Sequence, residues 1–130
     1  MIKRFDPIEG RNAEIIDYVL DCPEMAGLPD DFLFKMRLCV EEVEENILCY
    51  SGSTWIEVSV DKFDNEISVR FKDGGVAFDP LAKEDPDINA SIEDRQVGGL
   101  GIFICKQMMD RLVYYYENGC NIFTMTKKFA

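Results

Sequence analysis

The sequence predicts an α/β two-layer sandwich, with three helices covering one face of a mixed, mainly antiparallel sheet. Three observations carry that prediction. Apolar residues recur at spacings of three and four in some segments and alternate strictly with polar ones in others, and the segments follow in the order βααββ, a long irregular stretch, then αββ. With 130 residues, 47% of them hydrophobic, the chain has the size and apolar content of one domain spanning residues 1–130.

Residues 2–6 read as a short strand, and 9–20 as a helix with Ala13, Ile15, Ile16, Val19 and Leu20 on one side. Pro23, Gly27 and Pro29 end that run. Asp30 or Asp31 is placed to cap a long second helix, in which Phe32, Met36, Val40, Val43 and Ile47 repeat until Ser51-Gly52-Ser53 stops them. Residues 55–61 alternate through Ile56, Val58 and Val60, and Ile67, Val69 and Phe71 alternate again beyond a hairpin loop at 63–66. Residues 74–98 are rich in Pro, Asp, Gly and Asn without periodicity, a length that in a small domain marks a functional or disordered loop. A third helix is expected over about 102–110, then strands at 112–116 and 121–128 joined at Asn118-Gly119, a dipeptide suited to a hairpin.

Composition excludes several functions. Fourteen Lys and Arg against 25 Asp and Glu leave a net charge of −11, which repels nucleic acid and anionic membranes, and no basic patch offsets it. The absence of histidine removes Ser-His-Asp and Cys-His catalysis, histidine metal ligands and a phosphohistidine formed on this chain. Cys22, Cys39, Cys49, Cys105 and Cys120 lack C-x-x-C spacing and sit mostly among apolar residues, which reads as reduced core thiols in a cytoplasmic protein rather than a zinc site. No apolar run has the signal-peptide or membrane-spanning form.

Three motifs carry chemistry. Gly98-Gly99-Leu100-Gly101 runs into the third helix, where free N–H groups at a helix start suit a phosphate; a plain turn uses the same residues. Glu42 and Asn46, one helical turn apart, project from one face about 5–6 Å apart at Cβ. A carboxylate there can orient or deprotonate an attacking oxygen, and an amide oxygen can bind Mg²⁺ held by phosphates, although the pair also fits an exposed polar face. Asp73-Gly74-Gly75 ends a strand with an acid that can accept from an exocyclic amine and a glycine that admits a flat ring, or forms a tight turn.

Together, Glu-x-x-x-Asn on a helix, Asp-x-Gly after a strand and Gly-x-Gly opening a helix resemble the GHKL ATPase superfamily. The stretches 73–80 and 92–102, with Asp110 and Asn121, extend the resemblance to the small branch containing anti-sigma-factor serine/threonine kinases, over nearly the whole chain. The resemblance implies a Bergerat-type ATP-binding fold and the cofactors ATP and Mg²⁺. By it, Glu42 is the general base, Asn46 the Mg²⁺ ligand, Asp73 the reader of the adenine amino group and Gly75 the glycine beneath the ring. Gly98, Gly99, Leu100 and Gly101 form the phosphate loop, Arg95 is a lid arginine, and residues 79–98 are the ATP lid. The implied partners are a small antagonist protein that receives the phosphate and a sigma factor, with a homodimer suggested. Glu45 and Cys49 depart from the branch, where a small hydroxylated residue and a basic or polar one are common, and Glu45 would repel ATP if it faced the site. The alternatives are a non-catalytic, nucleotide-controlled interaction module and a detached histidine-kinase-type catalytic domain acting on another chain. Tyr114, Tyr115 and Tyr116 fit an alternating strand better than an interface.

Overall fold

A computed structural model describes residues 2–82 and 99–130. The elements are β1 (Ile2–Phe5), α1 (Asn12–Leu20), α2 (Asp30–Asn46), β2 (Ile56–Phe63), β3 (Glu66–Asp73), α3 (Gly99–Met108), β4 (Arg111–Glu117) and β5 (Cys120–Lys128), with single 3₁₀ turns at Pro23–Met25 and Pro80–Ala82. The strands form one sheet in the order β1-β2-β3-β5-β4. All four ladders are antiparallel, so the expected mixed pairing narrows to antiparallel among the described strands. The hairpins explain this. Asn118 (φ 52°) and Gly119 (φ 75°) both take the left-handed conformation that a tight β4–β5 turn needs.

Strand parity builds the core and points toward the site. Along β3, Ile67, Val69, Phe71 and Asp73 are buried while the intervening residues are half-exposed. Asp73 therefore extends the core-facing series at the strand's end. Asn121 pairs with it across the β3–β5 ladder and shares its face with Phe123 and Met125.

The helices begin and end differently from the sequence reading. α1 starts at Asn12 rather than near residue 9, because Gly10 sits at φ 78° and breaks the helical path. Pro29, not an aspartate, occupies the N-cap of α2, and Asp30 and Asp31 lie in its first turn, where carboxylates complement the helix dipole. Past Asn46, α2 widens into a π-helical turn, Ile47–Ser51, closed by Gly52 in the left-handed region. Ser51 Oγ donates to Ile47 O at 3.0 Å within that turn. α3 begins at Gly99, since Ile102, Cys105 and Met109 supply a buried stripe that draws the helix start into the glycine segment.

Cys22, Cys39 and Cys105 are buried, Cys120 is half-buried and Cys49 is exposed, all as free thiols. On β4, Tyr114 is half-buried and bonds inward, whereas Tyr115 and Tyr116 are exposed. Among the described residues, no helix is long and apolar enough to cross a membrane.

Candidate functional site

The end of α2, its π-helical turn, the ends of β3 and β5, and the start of α3 converge on one cavity. Asn46, Ser51, Asp73, Phe78, Tyr114 and Asn121 are among the residues lining it. Its free volume is about 20 Å³, room for about one water. The ring of Phe78 stacks on that of Tyr50, with centroids 4.9 Å apart and planes 18° apart. Phe78 thus carries the Tyr50 ring against the cavity's rim from outside its lining.

Asn121 organises the polar side. Its Nδ2 donates to Asp73 Oδ1 at 3.0 Å and to the Val76 carbonyl at 2.7 Å, while its Oδ1 accepts from the Phe78 N–H at 2.9 Å and from the Tyr114 hydroxyl. Both amide hydrogens and both lone pairs are thus used, and the loop after β3 is tied to β5. Asp73 Oδ1 also accepts from the Gly75 N–H at 2.9 Å. Among the described residues both bonds to the Asp73 carboxylate fall on Oδ1, which leaves Oδ2 for a ligand's donor.

The glycines of the Asp73 motif are required by close approach. A β-carbon built at Gly75 would overlap the backbone carbonyl of Ser51, and one at Gly74 would come within 2.7 Å of the Trp55 indole. Val76 N–H donates to Ser51 O at 2.9 Å, fixing the π-helical turn against the loop. A π-helical turn directly after Asn46 therefore has a visible consequence: it delivers Ser51 to the loop that follows Asp73.

On the opposite side of the site, a β-carbon at Gly101 would overlap the Glu42 carboxylate. Glu42 thus lies over the first turn of α3, one helical turn before Asn46, which is 8% exposed. Burial raises the Glu42 carboxyl above its ordinary value, and the charges of Glu45 and Glu41 push it further the same way. A half-buried carboxylate with a raised pKa is a stronger base than a free one.

Of the residues singled out from sequence, Asn46 and Asp73 line the cavity, Gly75 packs on Ser51 beside it, and Glu42 meets Gly101. Gly99 and Leu100 are in the first turn of α3 rather than in a preceding loop. Gly98, Arg95 and most of the expected lid lie outside the described residues. The first part of that lid is a fixed turn: Asp79 Oδ1 accepts from Leu81 N–H at 2.8 Å, Pro80 is buried and Leu81 packs on the core. Glu45 lines a separate groove between α1 and α2 with Glu41 and Glu44. Tyr50, Ser51, Phe78 and Tyr114 carry no site role in the sequence pattern, and Asn121 is marked there only by position. A polar residue in the core-facing series of β5 was the available signal for Asn121.

Residues 9–127 match the profile of the histidine kinase-like ATPase domain. The serine/threonine-protein kinase BtrW of Bordetella bronchiseptica is 29% identical over 101 residues, covering 75% of this chain and 71% of its own. The serine-protein kinase RsbW of Listeria monocytogenes is 26% identical over 110 residues, covering 78% and 69%. In structure, the histidine kinase AdeS of Acinetobacter baumannii matches with a TM-score of 0.53 and 14% identity, over 99% of this chain and 68% of that one, a likeness of fold.

Proposed function

We propose that this chain, which belongs to the histidine kinase-like ATPase domain family, binds Mg-ATP and transfers its γ-phosphate to a serine or threonine of a small antagonist protein, as an anti-sigma-factor-like switch. The observation that carries this reading is the contact of the Glu42 carboxylate with Gly101 at the start of α3. It sets a basic oxygen beside helix N–H groups suited to phosphate, one turn from an amide that reaches the Asp73 cavity. The names of the relatives, serine and serine/threonine kinases, support the acceptor class.

In this reading Asp73 Oδ2 accepts from the adenine amino group, and Asn121 holds the carboxylate in place. Gly75 allows the loop to lie flat below the base. The N–H groups of Gly99, Leu100 and Gly101 face the phosphates, and Gly98 and Arg95 complete the phosphate side. The donor set fits Mg²⁺ at Asn46, whose amide would offer it a hard neutral oxygen, and leaves Glu42 free to act as the base. When bound, Mg²⁺ neutralises triphosphate charge, which an acidic chain of net −11 otherwise repels. Glu42 then takes the proton of the acceptor hydroxyl as the hydroxyl oxygen attacks the γ-phosphorus, and the bond from that phosphorus to the β–γ bridging oxygen breaks to release ADP. The reading extends to residues 1–130 forming one domain in the cytoplasm, with a sigma factor as second partner and a homodimer as its assembly.

The test mixes the purified chain with radiolabelled Mg-ATP and the candidate antagonist encoded beside its gene. Phosphoserine or phosphothreonine on the antagonist, lost in Glu42→Ala, supports the reading. ATP binding without transfer assigns the chain to a nucleotide-controlled interaction module instead.

A further inference from the structure

Glu44 is 2% exposed, yet its Oε2 has no hydrogen-bond partner among the described residues. It belongs to a groove between the start of α1 and the second half of α2, lined by Asn12, Glu41, Glu44, Glu45 and Leu48, with a free volume of about 340 Å³. The groove is on another face of α2 from Asn46 and the cavity. A buried carboxylate without a partner is costly unless a cation or a hydrogen-bond donor reaches it. The charged groups beside Glu44 in the groove are the carboxylates of Glu41 and Glu45. The nearby Arg37 is engaged with Glu41 at 3.4 Å, an exposed contact.

We propose that this groove receives an arginine side chain of a partner protein, with Glu44 at its floor and Glu41 and Glu45 at its rim. The groove supplies three carboxylates and the Asn12 amide, all able to accept from the five N–H donors of a planar guanidinium, and Leu48 provides an apolar wall for the arginine stem. Its volume suits an extended side chain rather than a lone ion. The described residues contain no group of three or more acidic, cysteine or histidine side chains arranged to hold a metal, which favours a polyatomic cation over a bare one. The site requires no nucleotide, so it stands apart from the kinase reading.

The experiment titrates the full chain, without nucleotide at about pH 8, with N-acetyl-arginine amide, and follows it by amide and carboxyl NMR. The expected result is saturable shifts confined to Asn12, Glu41, Glu44, Glu45 and Leu48, at least about tenfold weaker binding in Glu44→Gln, and no response to N-acetyl-glutamine amide. If Glu44→Gln fails to fold, the Glu41→Gln/Glu45→Gln double variant, altered only at the rim, is expected to weaken binding instead. Shifts that do not saturate, that spread over the acidic surface, or that persist unchanged in these variants overturn the proposal. Tighter occupancy of the groove by Mg²⁺ than by the arginine amide also overturns it, in favour of a metal.

Discussion

The amide of Asn121 donates to Asp73 Oδ1 at 3.0 Å across the β3–β5 ladder, and the same side chain holds Val76, Phe78 and Tyr114. Asp73 is thereby oriented by a residue that leaves none of its own hydrogen-bonding capacity over for a ligand. Asn121→Ala removes the whole set and strands several buried groups. A stability loss of about 2–3 kcal/mol is expected in denaturant unfolding, with ATP affinity falling by about tenfold. Asn121→Ala with wild-type nucleotide affinity would show that Asp73 needs no such support.

The two glycine contacts differ in what stands in the way. At Gly75 the obstacle is the Ser51 backbone, whereas at Gly101 it is the end of the flexible Glu42 side chain. Gly75→Ala is therefore expected to cost about 1–3 kcal/mol of stability by overpacking. Gly101→Ala should fold nearly normally but turn Glu42 away, lowering phosphoryl transfer more than ATP binding. Thermal unfolding of both variants, with transfer and binding assays on Gly101→Ala, checks the contrast.

Much of this arrangement was legible in the sequence, and the physical reasons are specific. The alternation Ile67, Val69, Phe71 has a period of two, so the inward direction of Asp73 followed from parity alone. Asn118-Gly119 announced its own hairpin. The π-helical turn was not legible, because apolar spacings of three and four leave no mark of one extra residue per turn. The hub at Asn121 depends on pairing with a residue 48 positions away, which only the ladder register reveals. The direction of Glu45 was equally hidden: in Glu41-Glu42-Val43-Glu44-Glu45 carboxylates surround the helix, and only the packing of α1 and α3 decides which face each one takes.

Glu42 is raised by burial and by the negative charges of Glu45 and Glu41. As the proposed base it must be ionised, so transfer should fall with decreasing pH through a midpoint above the ordinary carboxylate value. Glu45→Gln removes one repelling charge and should move that acid limb to lower pH. A pH–rate profile of the two proteins is the check, and an unmoved limb would separate the titrating group from Glu42.

Glu44 has its pKa raised to about 7 from an ordinary 4.5. The folded state therefore binds the proton more tightly than the unfolded one, and the contribution of this group to stability declines as pH rises from about 4.5 to about 7. Glu44→Gln removes the penalty. It is expected to be more stable than the wild type at about pH 8, by up to about 3 kcal/mol, and nearly equal to it at about pH 4. Urea unfolding at the two pH values tests the sign, and a variant less stable at the higher pH would contradict it.

In the proposed function, Asp73 reads ATP in the cavity between α2, β3 and β5. The most direct measurement is calorimetric titration of the full chain and of Asp73→Asn with Mg-ATP, with thermal shift as a second readout. One-to-one binding by the wild type, weakened at least about tenfold in Asp73→Asn, is the predicted result. Binding of equal strength in both proteins, or no binding by either readout, would contradict it.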